Sequence, residues 1–221
     1  MPRRFAEISF TDSVKAQQAR YGSREMYHRF ELAENSGDVL TEKEIEFIAA
    51  RDSFYQATVA ENGYPYLQFK GGATGFLKVL DSKTLAYGDV RGNRQYISLG
   101  NLAANNRVSL ILLDYPNRRR LKVWAQASVI EAEQNPALML KLQTAGQIVE
   151  RAIVMTLEAY DWNCPKNITP RFTEQEINDI FLVPLQSRLN FLEQENQHLK
   201  TKLKCELRAS ETVKVSFFNK L

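Results

Sequence analysis

Between residues 53 and 130 the apolar, aromatic and β-branched positions gather in short runs closed by Gly, Pro, Asn and Asp. Phe54–Val59 and Tyr64–Phe69 flank an Asn62-Gly63 pair, the strongest short-range hairpin signal a sequence offers. Further strands are expected at Gly75–Leu80, Thr84–Gly88, Val108–Leu113 and Leu121–Ile130, with turns at Asp81–Lys83 and Tyr115–Arg118. Strands this closely spaced, mostly joined by tight turns, predict a β-rich α+β chain built on an antiparallel barrel rather than on βαβ units.

The pattern shifts to helical spacing on either side of this region. Residues 11–36 are polar and helix-prone, with Thr11-Asp12-Ser13 as the cap region. Thr41–Glu44 is a capping box leading into Ile45, Phe47 and Ile48, a short amphipathic helix ending near Arg51. A helix-like segment covers Tyr96–Asn105. Another is expected near Pro136–Leu142, and a further helical stretch over Gln147–Thr156. Residues 160–172 read as an irregular loop stiffened by Pro165 and Pro170. Thr173–Glu176 is a second capping box and starts a long helix that Pro184 breaks or kinks.

Within that last helix Leu185, Leu189, Leu192, Asn196, Leu199 and Leu203 recur at alternating spacings of four and three. This is a short heptad seam with Asn196 at an a-type position, where asparagine favours parallel pairing in one register. An amphipathic helix lying on its own barrel has the same pattern. The organisation read from these signals is an N-terminal helical arm (1–40), a barrel domain (41–172), a C-terminal helix and short coiled coil (173–208) and a tail (209–221).

Composition narrows the function classes. With 221 residues the chain can bury roughly 70% of its unfolded surface. A net charge of +3, evenly spread, is too mild for a nucleic-acid binder. Met1–Glu7 lacks an apolar signal core and no apolar run reaches spanning length, so a cytoplasmic protein without a membrane segment is expected. Two distant cysteines, Cys164 and Cys205, and two histidines, His28 and His198, form no recognisable disulfide or metal motif. His28 reads as structural.

The chemistry concentrates around Tyr87–Gln95. A strand ends there in a Gly-bearing turn that presents Asn93, Arg94 and Gln95 at the mouth of a helix. A guanidinium, two amides and free backbone N–H groups make a phosphate cradle, and the layout fits a nucleotide-type cofactor lying along a sheet. The same three residues could instead serve only to cap the helix. Lys70-Gly71-Gly72 can let a ligand ring approach backbone, or can be a plain strand end. Gly71–Gly75 lacks P-loop spacing. Arg118-Arg119-Arg120 reads as a solvated hairpin tip, Trp162 either seals the core or covers a ligand face, and Arg171 is either a surface ion-pair partner or a second charge on the cofactor.

Tyr64–Gly72, Leu85–Asp89 with Gly92–Gln95, and Asn101–Leu110 resemble the FMN-binding split barrel of the pyridoxamine 5′-phosphate oxidase-like family. Gly75–Leu80, Arg91–Tyr96 and residues 161–172 are similar to its oxidase-related flavin-binding branch. The resemblance spans about residues 20–172. It implies a six-stranded antiparallel split barrel with flanking helices that forms a homodimer, with FMN at the interface. Carried over by position, Phe69, Lys70 and Gly71 lie beside the flavin, Tyr87 and Gly88 contact flavin and ribityl chain, and Asn93, Arg94 and Gln95 hold the phosphate. Arg120 falls near the pyrimidine edge of the flavin. Trp162 and Arg171, from the residue reading above, complete the candidate cofactor residues.

Family members often carry Ser-Arg-Lys at the phosphate turn. With Gln95 in place of the lysine, Lys70, Arg24 or one of Arg118–Arg120 must supply the missing charge. The family's substrate-binding Arg-x-His has no counterpart, because Lys166–Arg171 contains no histidine. A flavin-dependent oxidoreductase without that substrate motif is the implied function, with substrate and electron donor unassigned and no catalytic residue picked out. The alternative is a non-catalytic flavin carrier or redox sensor acting through a partner. Haem binding on the same barrel is disfavoured by the scarcity of histidines.

Overall fold

The computed structural model describes residues 3–32, 36–143, 146, 148–162 and 165–218, with side chains described up to residue 206. The chain divides into two units, residues 1–170 and 171–221.

In the first unit, three short helices, α1 (Arg4–Ser9), α2 (Asp12–Arg20) and α3 (Arg24–Glu31), precede α4 (Glu42–Ala49). The strands are β1 (Ser53–Val59), β2 (Pro65–Gly71), β3 (Lys78–Asp81) and β4 (Thr84–Val90), then, after α5 (Ile97–Ala104), β5 (Arg107–Asp114) and β6 (Arg119–Glu131). Helix α6 (Pro136–Leu142) leads to β7 (Val149–Trp162). All seven strands form one antiparallel sheet in the order β2-β1-β5-β6-β7-β4-β3. The fold is thus β-rich α+β with flanking helices, and its sheet has seven strands rather than six.

The seventh strand is where helix was expected. Residues 149–162 are the longest strand, paired to β6 on one side and β4 on the other. Ile153, Met155 and Leu157 enter the main core with Leu85, Leu110, Leu121 and Val123. Ala152 and Val154 face the other way, into a small cluster with Leu142, Leu138 and Ile130. A strand covered on both faces loses polar alternation and becomes an apolar run, which cannot be told from a buried helix by periodicity. The strand also continues through Trp162, shortening the loop expected over 160–172; Asn163 and Cys164 lie outside the described residues.

Local signals elsewhere agree with the sequence. The side chain of Thr11 accepts from the Val14 N–H, Asn135 caps α6, and the Thr41–Glu44 capping box is formed. Glu44 is 2% exposed although it is a carboxylate. It accepts hydrogen bonds from the Thr41 backbone N–H (3.1 Å), from the Thr41 hydroxyl and from the Trp162 indole N–H (2.6 Å). Burial raises its pKa, but these bonds to the ionised form outweigh burial and hold it below the ordinary value of 4.5. The N-terminal helices lie over the β6–β7 region: Phe5 packs on Trp124, with ring centroids 5.0 Å apart, and Arg3 pairs with Asp161 at 3.1 Å.

The second unit is helical. The Thr173–Glu176 capping box starts α7 (Glu174–Ile177). A π-helical turn at Asn178–Leu182 follows, and α8 runs from Val183 to Phe218. Pro184 therefore alters the helix without ending it. A proline has no N–H for the preceding turn, and widening that turn accommodates the missing bond. No helix among the described residues is long and apolar enough to cross a membrane.

Glu44→Gln should cost about 1–3 kcal/mol in chemical denaturation, because one acceptor becomes a donor facing two other donors. The pKa of Glu44 is depressed on folding, so its contribution is present above its unfolded pKa and is lost as pH falls through the folded one. The wild type should lose stability on acidification below about pH 4.5, and the variant should show less of that loss. Denaturation followed at pH 7 and pH 3.5 checks both statements.

Candidate functional site

The open ends of β2 and β4, together with the turn leading into α5, enclose a cleft of about 230 Å³. One wall carries Tyr66, Gln68, Phe69 and Lys70 from β2, the other Tyr87, Gly88 and Asp89 from β4, and Gly92–Leu99 forms the end. Eight residues expected from sequence meet here: Phe69, Lys70, Gly71, Tyr87, Gly88, Asn93, Arg94 and Gln95.

The turn is built by two left-handed residues, Arg94 (φ 60°) and Tyr96 (φ 53°). The Asn93 side-chain oxygen accepts from the Gln95 N–H at 3.2 Å, which fixes the turn and uses one of the two amides internally. Helix α5 starts at Ile97 with no side-chain cap on its first turn. Its orphan N–H groups and partial positive charge therefore remain for another acceptor. The Ser98 hydroxyl donates to Gln68 at 2.8 Å and ties the helix start to β2. Arg94 is exposed and has no carboxylate partner among the described residues.

The cleft's other charges form one group. Asp89 accepts from Lys70 Nζ at 3.3 Å and from Arg151 Nη1 at 2.9 Å. Arg151 also meets Glu150 at 3.3 Å and sits 5.6 Å from the Tyr96 ring centroid. Lys70 lies 5.4 Å from the ring centroid of Tyr87. Tyr87 itself is buried and donates to Gln56 Oε1 at 2.9 Å. Burial and the nearby charge of Asp89 push its phenol far above the ordinary range, so it stays protonated. The lining itself carries Lys70, Arg94 and Arg151 against Asp89, and outside it Glu131 meets Arg151 at 3.6 Å.

Arg151 and Asp89 are the functional residues that sequence reasoning missed. Asp89 stood next to the expected site residues; Arg151 fell in the segment read as helix. Arg151 also supplies the cation that Gln95 does not. Arg24, one candidate for that charge, instead pairs with Glu31 at 2.8 Å in the N-terminal helices. Arg118 and Arg119 stand at the β5–β6 hairpin, and Arg119 lies 5.0 Å from the Trp162 ring centroid.

Two expected site residues of the first unit lie outside the cleft. Arg120 pairs with Leu113 across the β5–β6 ladder, at the opposite end of β6 from the residues that adjoin Arg151. Trp162 packs edge-on against Phe47, with centroids 4.8 Å apart, and donates to Glu44, so it seals the core beneath α4. Arg171 belongs to the second unit. The paired glycines line the cleft and also face the chain's own aromatics. A Cβ on Gly71 would lie 2.9 Å from the Phe69 ring and one on Gly72 2.8 Å from Phe76, so the space beside them is filled by the chain's own aromatics.

With this geometry in view, comparison with known proteins defines the class. The family model described as pyridoxamine 5′-phosphate oxidase matches residues 40–162, more than half of the chain and all of the strands. The chain belongs to the pyridoxamine 5′-phosphate oxidase family. Among solved structures it is similar to a putative pyridoxamine 5′-phosphate oxidase from Lactobacillus delbrueckii (23% identity, 56% of this chain and 94% of that one, TM-score 0.45). It is also similar to an FMN-binding protein from Syntrophomonas wolfei (16% identity, 67% and 97%, TM-score 0.41). HupZ of Group A Streptococcus aligns at 14% identity over 60% and 99%, with a TM-score of 0.45. No curated protein matches the chain.

Asp89→Asn should lower stability by about 1–3 kcal/mol, since Lys70 and Arg151 lose their shared charged acceptor. Urea denaturation should show the midpoint falling with an unchanged slope.

Proposed function

We propose that the cleft binds FMN and that the protein is a flavin-dependent oxidoreductase working as a homodimer. The observation that carries this reading is Arg94, without a carboxylate partner among the described residues, beside an uncapped helix start at the end of a cleft that Lys70 and Arg151 also line. A terminal phosphate dianion complements that set, and the aromatic lining of Tyr66, Phe69 and Phe76 suits a planar ring system. In this reading Asn93, Arg94 and Gln95 hold the phosphate. Lys70 and Arg151 lend further positive charge, and Phe69–Gly71, Tyr87 and Gly88 flank the ring. Bound FMN supplies hydride- and electron-transfer chemistry. The chain itself binds, orients and balances charge, and Tyr87, kept protonated by burial, is no general base.

The dimer follows from what one chain leaves open. The cleft, at about 230 Å³, is smaller than the roughly 300–1,000 Å³ of complete ligand pockets. Its wall β2 is an edge strand of the sheet with Leu67 and Phe69 exposed. An apolar, unprotected edge calls for a cover, and a second copy that closes the cleft provides one. Closure of the sheet into the family's split barrel belongs to the same proposal. The substrate is not pyridoxamine 5′-phosphate in this reading, since the chain lacks the Arg-x-His signature.

Purified protein should be yellow, and the chromophore released on denaturation should have the mass of FMN. Arg94→Ala should weaken FMN binding by about 10–100-fold, the loss expected for one charge-assisted contact, without lowering thermal stability of the apoprotein. Unchanged affinity in a flavin-fluorescence titration would remove the phosphate from this turn.

A further inference from the structure

Helix α8 carries a self-complementary surface. Its seam residues Leu185, Leu189, Leu192, Leu199 and Leu203 are between 44% and 65% exposed. In heptad terms Leu189, Asn196 and Leu203 take the a positions, and Leu185, Leu192 and Leu199 the d positions. The π-helical turn at Asn178–Leu182 interrupts the register before the seam, and Glu206 occupies the next d position after it. The seam is therefore bounded at both ends, about 28 Å long at 1.5 Å per residue.

We propose that α8 pairs with α8 of a second copy of this chain as a parallel, in-register two-stranded coiled coil. Two independent features select that occupant. The first is Asn196, the single polar residue within the seam. Only a partner with an asparagine at the same level satisfies its amide, and a second copy in parallel register meets this condition automatically.

The second is the charge on the flanks. The g positions are Arg188, Glu195 and Lys202, and the e positions are Gln186, Glu193 and Lys200. In a parallel dimer each g residue faces the e residue five positions later on the partner helix. Arg188 then faces Glu193, and Glu195 faces Lys200, so each charged pair is attractive and symmetry doubles it. An antiparallel pair that sets Asn196 against Leu192 brings Glu195 to Glu195, Glu193 to Glu193 and Arg188 to Lys202. Shifting that pair to relieve the repulsion sets Asn196 against Leu199 and Leu189 against Glu206. Only the parallel in-register arrangement matches the charges and the asparagine together. A stretch this short is marginal alone, and a second contact between the same two chains would raise its effective concentration. The pairing does not depend on the cleft holding a flavin.

The test uses the full chain with Cys164→Ser and Cys205→Ser, into which single cysteines are placed. In the proposed dimer residue 192 faces its own copy, whereas residue 194 points outward. Leu192→Cys should become a disulfide-linked dimer nearly completely on mild oxidation, and Gln194→Cys should stay at the level of random collision. Adding Glu195→Lys to Leu192→Cys should cut the cross-linked fraction severalfold, and adding Lys200→Glu as well should restore it. Absence of a Leu192→Cys dimer, equal cross-linking at both sites, or no rescue by the double charge reversal would each overturn the proposal. None of the substituted α8 positions is among the residues that line the cleft, so FMN content measured on the same samples separates failure of this proposal from failure of the flavin reading.

Discussion

Burial of β7 on both faces is the constraint on which the first unit rests. Its partners β6 and β4 belong to different halves of the sheet order, so among the described residues β7 alone joins β2-β1-β5-β6 to β4-β3. Packing enforces that position: Ile153 and Met155 are within 2% of full burial on one side and Ala152 is fully buried on the other. An interior packed this closely tolerates neither voids nor overfilling, so the strand's register is fixed on two faces at once. The register in turn sets Asp89 opposite Arg151, and thereby the charge pattern of the cleft.

The cleft shows how a fold provides charge without depending on a given side chain. The turn Asn93–Gln95 has no lysine at its third position, yet the Arg151 guanidinium from β7 lines the same cleft. That arginine is not free. Asp89 holds it and Lys70, while the buried Arg151 Nε makes no hydrogen bond and faces Glu131 at 3.6 Å. In the proposed reading an entering phosphate would join this existing charge network. Arg94, exposed and without a carboxylate partner among the described residues, is the group whose electrostatic environment a phosphate would change most.

Much of this was legible in the sequence, and the exceptions have a common cause. The hairpin at Asn62-Gly63, both capping boxes and the turn at Asn93–Gln95 are local signals, decided by residues within a few positions of one another. What misled were residues whose state depends on distant partners. The run from Val149 to Leu157 reads as helix because the sheet covers both its faces, a fact held in Leu142, Ile130 and Leu85. Arg151 was lost with it. Trp162 could equally cover a ligand or seal the core, and only the placement of Glu44 and Phe47 decides for the core. Gly71 and Gly72 show the reverse case: their smallness was legible, but the occupants of the space, Phe69 and Phe76, were not.

The two units solve the problem of apolar surface in opposite ways. In the first, apolar side chains converge on one core from α4, α5 and most of the strands, so each helps to bury the others within a single chain. In α8 the leucines lie along one stripe of an extended helix, and a lone helix has no second surface to offer them. Helical propensity alone is marginal over such lengths, so tertiary or quaternary packing must supply the remaining stability. The interrupting turn before Pro184 and the polar end at Glu206 confine the stripe to a segment with one asparagine and matched flanking charges. A surface selected only for general stickiness would need neither feature; in the proposed pairing both choose a partner and a register.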